Sequence, residues 1–200
     1  MTSSARTIYV EGGSGRGDRQ ARQAFAAFLR DPAGKRSPRI TIAGPRSAAI
    51  KLFANDKSLN NGLLVDSEGP VGPGRNSVQH LEDCKEIRPG EAAVLDPNRV
   101  FLMVECMENW LIADMEGIAI ASGNRNVQPE PAARRRTRAN GNVEVIPKAD
   151  AEAVVQASLP PEWSKGKRME LVRALSPEKV RSASAEADRL LSWLLPHRDY

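Results

Sequence analysis

Cysteine, histidine and aromatic side chains are all scarce in this chain. Only two of its 200 residues are Cys and two are His, and Phe, Trp and Tyr together make up 4%. Cys84 and Cys106 stand alone, with no paired spacing, which excludes a disulfide framework and a thiolate zinc site and leaves free thiols. His80 has no second histidine near it, so it reads as a surface or packing residue rather than a ligand or base. No apolar run approaches the roughly 20 residues of a membrane span, and Met1 to Arg6 carry no apolar core of a secretory signal. A cytoplasmic chain without membrane contact is the expectation. A Walker motif is also missing: Gly13-Ser14-Gly15-Arg16-Gly17 has neither the Gly-Lys-Ser/Thr ending of a P-loop nor the full Rossmann glycine spacing.

What the chain does have is short β-branched runs that end in carboxylates. Thr7-Ile8-Tyr9-Val10 runs into Glu11-Gly12-Gly13, and Gly62-Leu63-Leu64-Val65 runs into Asp66-Ser67-Glu68-Gly69-Pro70. Side chains alternate along a strand, so Asp66 and Glu68 fall on the same side. Two carboxylates held together need solvent or a cation, and a hard divalent ion suits oxygen ligands; two ordinary acids in a solvated loop are the plain alternative. In an open α/β sheet ligands gather outside the carboxyl ends of the strands, where Glu11, Asp66 and Glu68 would converge.

Taken in order, the pattern is β-α-β-α-β. A helix from about Arg19 to Arg30 buries Ala21, Ala24, Phe25 and Phe28, and a strand at Arg39 to Gly44 precedes a second helix with Ala49, Ile50 and Phe53 inward. This alternation predicts an α/β fold, a mostly parallel sheet of about four strands flanked by helices. Val100 to Val104 is the strongest strand, and Glu105 to Ala121 read as one helix with Trp110 in the core. Glu108 in its first turn is either part of the carboxylate group or a helix N-terminal acid favoured by the dipole. Residues 1–121 form the core, 122–142 a mobile basic insert, and 143–200 a helical elaboration, all within one domain. In the last, Val143 to Pro147 reads as a short edge strand, Lys148 to Ser158 as a helix, Trp163 to Arg168 as a basic turn before a helix through Leu175, and Ser184 to Leu195 as a final amphipathic helix.

The net charge of +4 is modest but clustered. Arg134, Arg135, Arg136 and Arg138 in the insert, with Lys167 and Arg168 further on, could track a phosphate backbone; the insert has no aromatics to stack on bases, and a solvated loop is the other reading.

A strand ending in Glu-Gly followed, after a helix, strand and helix, by a strand ending in an acidic pair resembles the TOPRIM domain of topoisomerases, primases and overcoming-lysogenization-defect nucleases. The segments 8–12, 64–68, 103–110, 146–150 and 164–167 more closely resemble the bacterial family called domain of unknown function 4276, a divergent TOPRIM relative. The acidic pair departs from the usual pattern in being Asp-x-Glu. The resemblance implies a metal-dependent nuclease with Asp66, Glu68 and Glu11 as ligands of Mg²⁺ (or Mn²⁺), Glu11 alternatively as general base, Lys165 or failing that Lys148 as the positive donor, and Glu108 in support. It further implies an ABC- or AAA-type ATPase partner in bacterial anti-phage defence. The competing class is a non-catalytic binding or regulatory subunit, since fold likeness does not establish activity. A topoisomerase is excluded on chemistry: Tyr9 and Tyr200 are poor nucleophile candidates.

Overall fold

The computed structural model describes residues 6–13, 18–30, 37–123 and 141–194, apart from the side chains of residues 165 and 166. Four strands, β1 (Thr7–Val10), β2 (Arg39–Ile42), β3 (Asn61–Asp66) and β4 (Val100–Met103), form one all-parallel sheet in the order β2-β1-β3-β4. The chain steps from β1 outward to β2 and then returns to the other side of β1 for β3. That reversal falls between β1 and β3, and at such a point in an open α/β sheet the carboxyl ends of the strands form the ligand crevice.

β3 is buried on both faces and reads as a continuous apolar run, as a central parallel strand must. Alternation divides its side chains between two cores. Leu64, with Ile8, Val10, Phe101 and Met103, faces α1 (Asp18–Phe28). Leu63 and Val65, with Val100 and Leu102, face α2 (Arg46–Asn55) and α3 (Ser77–Asp83). A one-turn helix α4 (Pro89–Ala92) continues the second side. The first side carries most of the C-terminal half: α5 (Met107–Ala113), α6 (Met115–Ser122), α7 (Lys148–Ser158), α8 (Pro177–Ala183) and α9 (Ala185–Leu194). Trp110 is fully buried there, 5.7 Å from Phe28 between ring centroids. Among the described residues no helix is long and apolar enough to cross a membrane.

Three expected elements differ. The helix expected over 105–121 is two helices, because Asp114 turns its side chain back onto the Gly117 amide and also accepts from Ser176 N and Lys179 Nζ. A side chain that competes for backbone donors ends one helix and caps the next. Gly117 is required at that junction, since a Cβ would lie 2.5 Å from the Ala174 carbonyl oxygen. The edge strand expected at 143–147 is a 3-10 turn, Val143–Val145. Val143 and Ile146 are both buried, a spacing of three rather than two, and Asn109 Nδ2 takes their carbonyls at 2.7 and 2.8 Å. The basic turn and helix expected over 163–175 form a run of 3-10 turns, Lys165–Ala174, packed on α1 and α6.

The outer edge of β4 is closed by α9. Glu186 accepts from the Leu102 amide at 3.1 Å, and Arg189 donates to the Val100 carbonyl while stacking over Phe101. An unpaired strand edge is a template for aggregation, and these two side chains occupy it. Glu186→Ala leaves a buried amide without an acceptor, and urea unfolding should register a loss of about 1–3 kcal/mol; a change near zero would mean that water replaces the carboxylate.

Candidate functional site

Glu11 follows β1, Asp66 ends β3, and Glu68 lies two residues beyond it, so the sheet reversal brings all three to one crevice. Glu11 is fixed by two donors on the same oxygen: the Asp66 amide at 3.1 Å and Arg46 Nε at 3.0 Å. Glu68 takes up a left-handed backbone, φ 62°, as does Glu105 at φ 61° just past β4. This conformation is unfavourable for a side chain with a Cβ, by about 1–2 kcal/mol each. The two turns hold each other: Glu68 N donates to Glu105 O at 3.0 Å, and Glu105 N to Ser67 Oγ at 2.8 Å. His80 supports the same turn, its Nε2 lying 2.9 Å from Ser67 O, so it is buried and packing as expected.

Two cations enter the crevice. Arg46 opens α2 and is 8% exposed; its guanidinium bonds Glu11, Glu68 (Nη2, 2.8 Å) and Glu86 (Nη1, 3.0 Å). Lys148 opens α7, gives its amide to Glu105 at 2.9 Å and its ammonium to Glu68. Burial acts against both positive charges. The hydrogen bond and charge of Glu11, with Glu86 and Glu68, outweigh it for Arg46 and raise its pKa; Glu68 does the same for Lys148. Burial likewise acts against Glu68, but Lys148 and Arg46 hold its pKa below the ordinary value.

Asp66 has no such partner. Its Oδ1 is buried without a hydrogen bond. Burial, and then the charges of Glu11, Glu108 and Glu68, push its carboxyl up to about 8 against the opposing pull of Lys148. An orphaned carboxylate among acids at a sheet reversal fits the donor chemistry of a divalent cation. Glu68 and Glu11 are the neighbouring oxygen donors, but both are engaged by Arg46. Consistent with that, among the described residues no three Asp, Glu, His or Cys side chains are gathered as a ready metal site.

The remaining expected residues fall in different places. Glu108 is in the first turn of α5 and close enough to act on Asp66 by charge, but its carboxylate is buried against Arg168 Nη1 at 3.0 Å. Arg168 is therefore not a surface cation: it is 3% exposed and its remaining polar contact is Gln156. Its guanidinium cannot reach a backbone phosphate from there, because Glu108 draws it inward. Lys167, beside it, is exposed. The side chain of Lys165, and Arg134, Arg135, Arg136 and Arg138, lie outside the described residues. Sequence reasoning missed Arg46, Glu86 and Glu105. Arg46 did carry a signal, since it follows Gly44-Pro45 at the carboxyl end of β2, on the same sheet edge.

Cys106, two residues before Glu108, is buried, and that burial with the charges of Glu108 and Asp66 raises its thiol pKa, which disfavours the thiolate a nucleophile needs. Comparison with family models, curated proteins and solved structures found no match.

Proposed function

We propose that this chain is a Mg²⁺- or Mn²⁺-dependent phosphodiesterase acting on nucleic acid. The observation that carries the reading is the buried, unpartnered Oδ1 of Asp66 at the sheet reversal, flanked by Glu11 and Glu68. Asp66 is the primary donor for the cation, with Glu68 and the less engaged Oε1 of Glu11 beside it. When bound, a divalent cation supplies Lewis-acid polarisation of the phosphoryl group and acidifies water.

The chain's own groups do the rest. Lys148, already within reach of Glu68, offsets charge that grows on the phosphoryl oxygens as water adds to phosphorus and the P–O ester bond breaks. Glu11 serves as ligand or as the base that takes the proton of that water; its strand-end position allows either. Lys165 is the alternative positive donor. Lys167, with Arg134, Arg135, Arg136 and Arg138, supplies contacts to the phosphate backbone that do not depend on sequence. Glu108 bears on the site only through its charge on Asp66. The resemblance to TOPRIM relatives adds an ATPase partner and a place in bacterial anti-phage defence, and any ATP dependence belongs to that partner.

The test is cleavage of labelled DNA and RNA with Mg²⁺ or Mn²⁺ by wild type and Asp66→Ala, alone and with any ATPase encoded beside the chain. Metal-dependent cutting that falls at least about 10³-fold in Asp66→Ala supports the nuclease. Cutting that persists in the variant refutes the site. A second reading, a non-catalytic subunit, is favoured by Arg46, which already bridges three of the acids. It predicts no cutting under any combination and equal metal affinity in the two proteins.

A further inference from the structure

Arg46 is an unusual neighbour for metal-binding carboxylates. Its guanidinium uses all three nitrogens, on Glu11, Glu68 and Glu86, and it is nearly buried. A fixed ion pair of that kind would block the crevice. Yet a shortage of positive charge remains: Glu11, Glu68 and Glu86 share Arg46 and Lys148, and Asp66 beside them has no cation bonded to it. Asp66 Oδ1, buried and unbonded, is where it is most acute.

Arginine is also the side chain best shaped for a phosphodiester, whose oxygens match its fork as a carboxylate does. The guanidinium hangs on a long flexible stem rooted in the first turn of α2, so it can leave Glu11 and Glu68 without moving the helix. Glu86 contacts only one of its nitrogens and is 37% exposed, which leaves a tether on the solvent side.

Resting on the divalent-cation reading above, we propose that Arg46 is an exchangeable counterion: it neutralises Glu11 and Glu68 in the metal-free protein, yields them to the cation, and turns its fork to the substrate phosphodiester. Cation and substrate then strengthen each other's binding, because each takes what the other releases from Arg46. Arg46 is thus a substrate-binding residue and a brake on metal binding in one.

Titration calorimetry with Mn²⁺ alone tests the brake, on wild type, Arg46→Met and Asp66→Asn. Arg46→Met should bind Mn²⁺ at least tenfold more tightly than wild type. Dimethyl phosphate, the smallest phosphodiester, should tighten Mn²⁺ binding severalfold in wild type and not at all in Arg46→Met. Unchanged or weaker Mn²⁺ binding by a folded Arg46→Met overturns the exchange, even if Asp66→Asn has lost the ion. If instead Asp66→Asn binds Mn²⁺ as wild type does, the cation site itself is refuted and the exchange with it. A measurement on wild type needs no variant: the Arg46 Nε proton, protected by Glu11, should lose its protection from solvent exchange as Mg²⁺ saturates the protein. Retained protection at saturation overturns the proposal.

Discussion

Asp66→Asn should make the protein more stable at pH 8 while removing its response to Mg²⁺. The folded Asp66 carboxyl has its pKa pushed up to about 8, well above the ordinary value of 3.8. The folded chain therefore holds a proton that the unfolded chain gives up. The stability this group contributes is complete below about pH 4 and is lost as pH rises through 8, with a slope approaching 1.4 kcal/mol per pH step. Asparagine keeps the shape and never ionises. The stability gap between Asp66→Asn and wild type should widen by roughly 3–4 kcal/mol between pH 5 and pH 8, in favour of the variant. Mg²⁺ reverses the comparison, since a ligand that binds only the folded state stabilises it. Urea unfolding at the two pH values, with and without Mg²⁺, reads both effects. A gap independent of pH would mean that Asp66 is already ionised and solvated, and the case for a cation there would fall.

Glu108→Ala should be among the most damaging substitutions outside the apolar core. The side chains of Glu108 and Arg168 are each 4% exposed and bonded at 3.0 Å, and Arg168 Nε has no partner of its own. Removing the carboxylate leaves a buried guanidinium uncompensated, at a cost of about 3–5 kcal/mol. Replacing both by apolar residues, as in Glu108→Leu with Arg168→Met, should recover most of that loss, because neither charge is then left in a low dielectric. A single variant within about 1 kcal/mol of wild type in chemical denaturation would mean that water enters beside Arg168. The pair anchors the 3-10 run Lys165–Ala174 to α5, so its loss should also loosen the wall behind the crevice.

The carboxylate group and the cations beside it divide the work. Carboxylates at the ends of parallel strands are held there beside a backbone with two left-handed residues, Glu68 and Glu105. Strain of this kind persists only where surrounding bonds overdetermine it. Here those bonds come from the opposing turns and from Lys148, whose amide is tied to Glu105. The acids are thus kept close although they repel, and Arg46 and Lys148 offset that repulsion.

By itself the sequence determined the α/β class, the parallel sheet and the sheet edge that carries Glu11, Asp66 and Glu68. Those follow from local physics: β-branched runs alternate with helical periods, crossovers are right-handed, and a carboxylate at a strand end stays at that end in the fold. The burial of Trp110 and the two inner faces of α1 and α2 were legible for the same reason. Only the tertiary structure decided which charges meet. Arg168 reads as one more basic residue in a polar turn, yet it is buried because Glu108, 60 residues away, is there to receive it. Arg46 reads as the start of a helix, yet β2 lying beside β1 brings its guanidinium across to Glu11 and Glu68. Val143 to Ile146 has strand-like composition, yet Asn109 takes the carbonyls that a sheet would have used. An ion pair or a captured carbonyl is a contact between distant positions, and its energy depends on burial that no single segment carries.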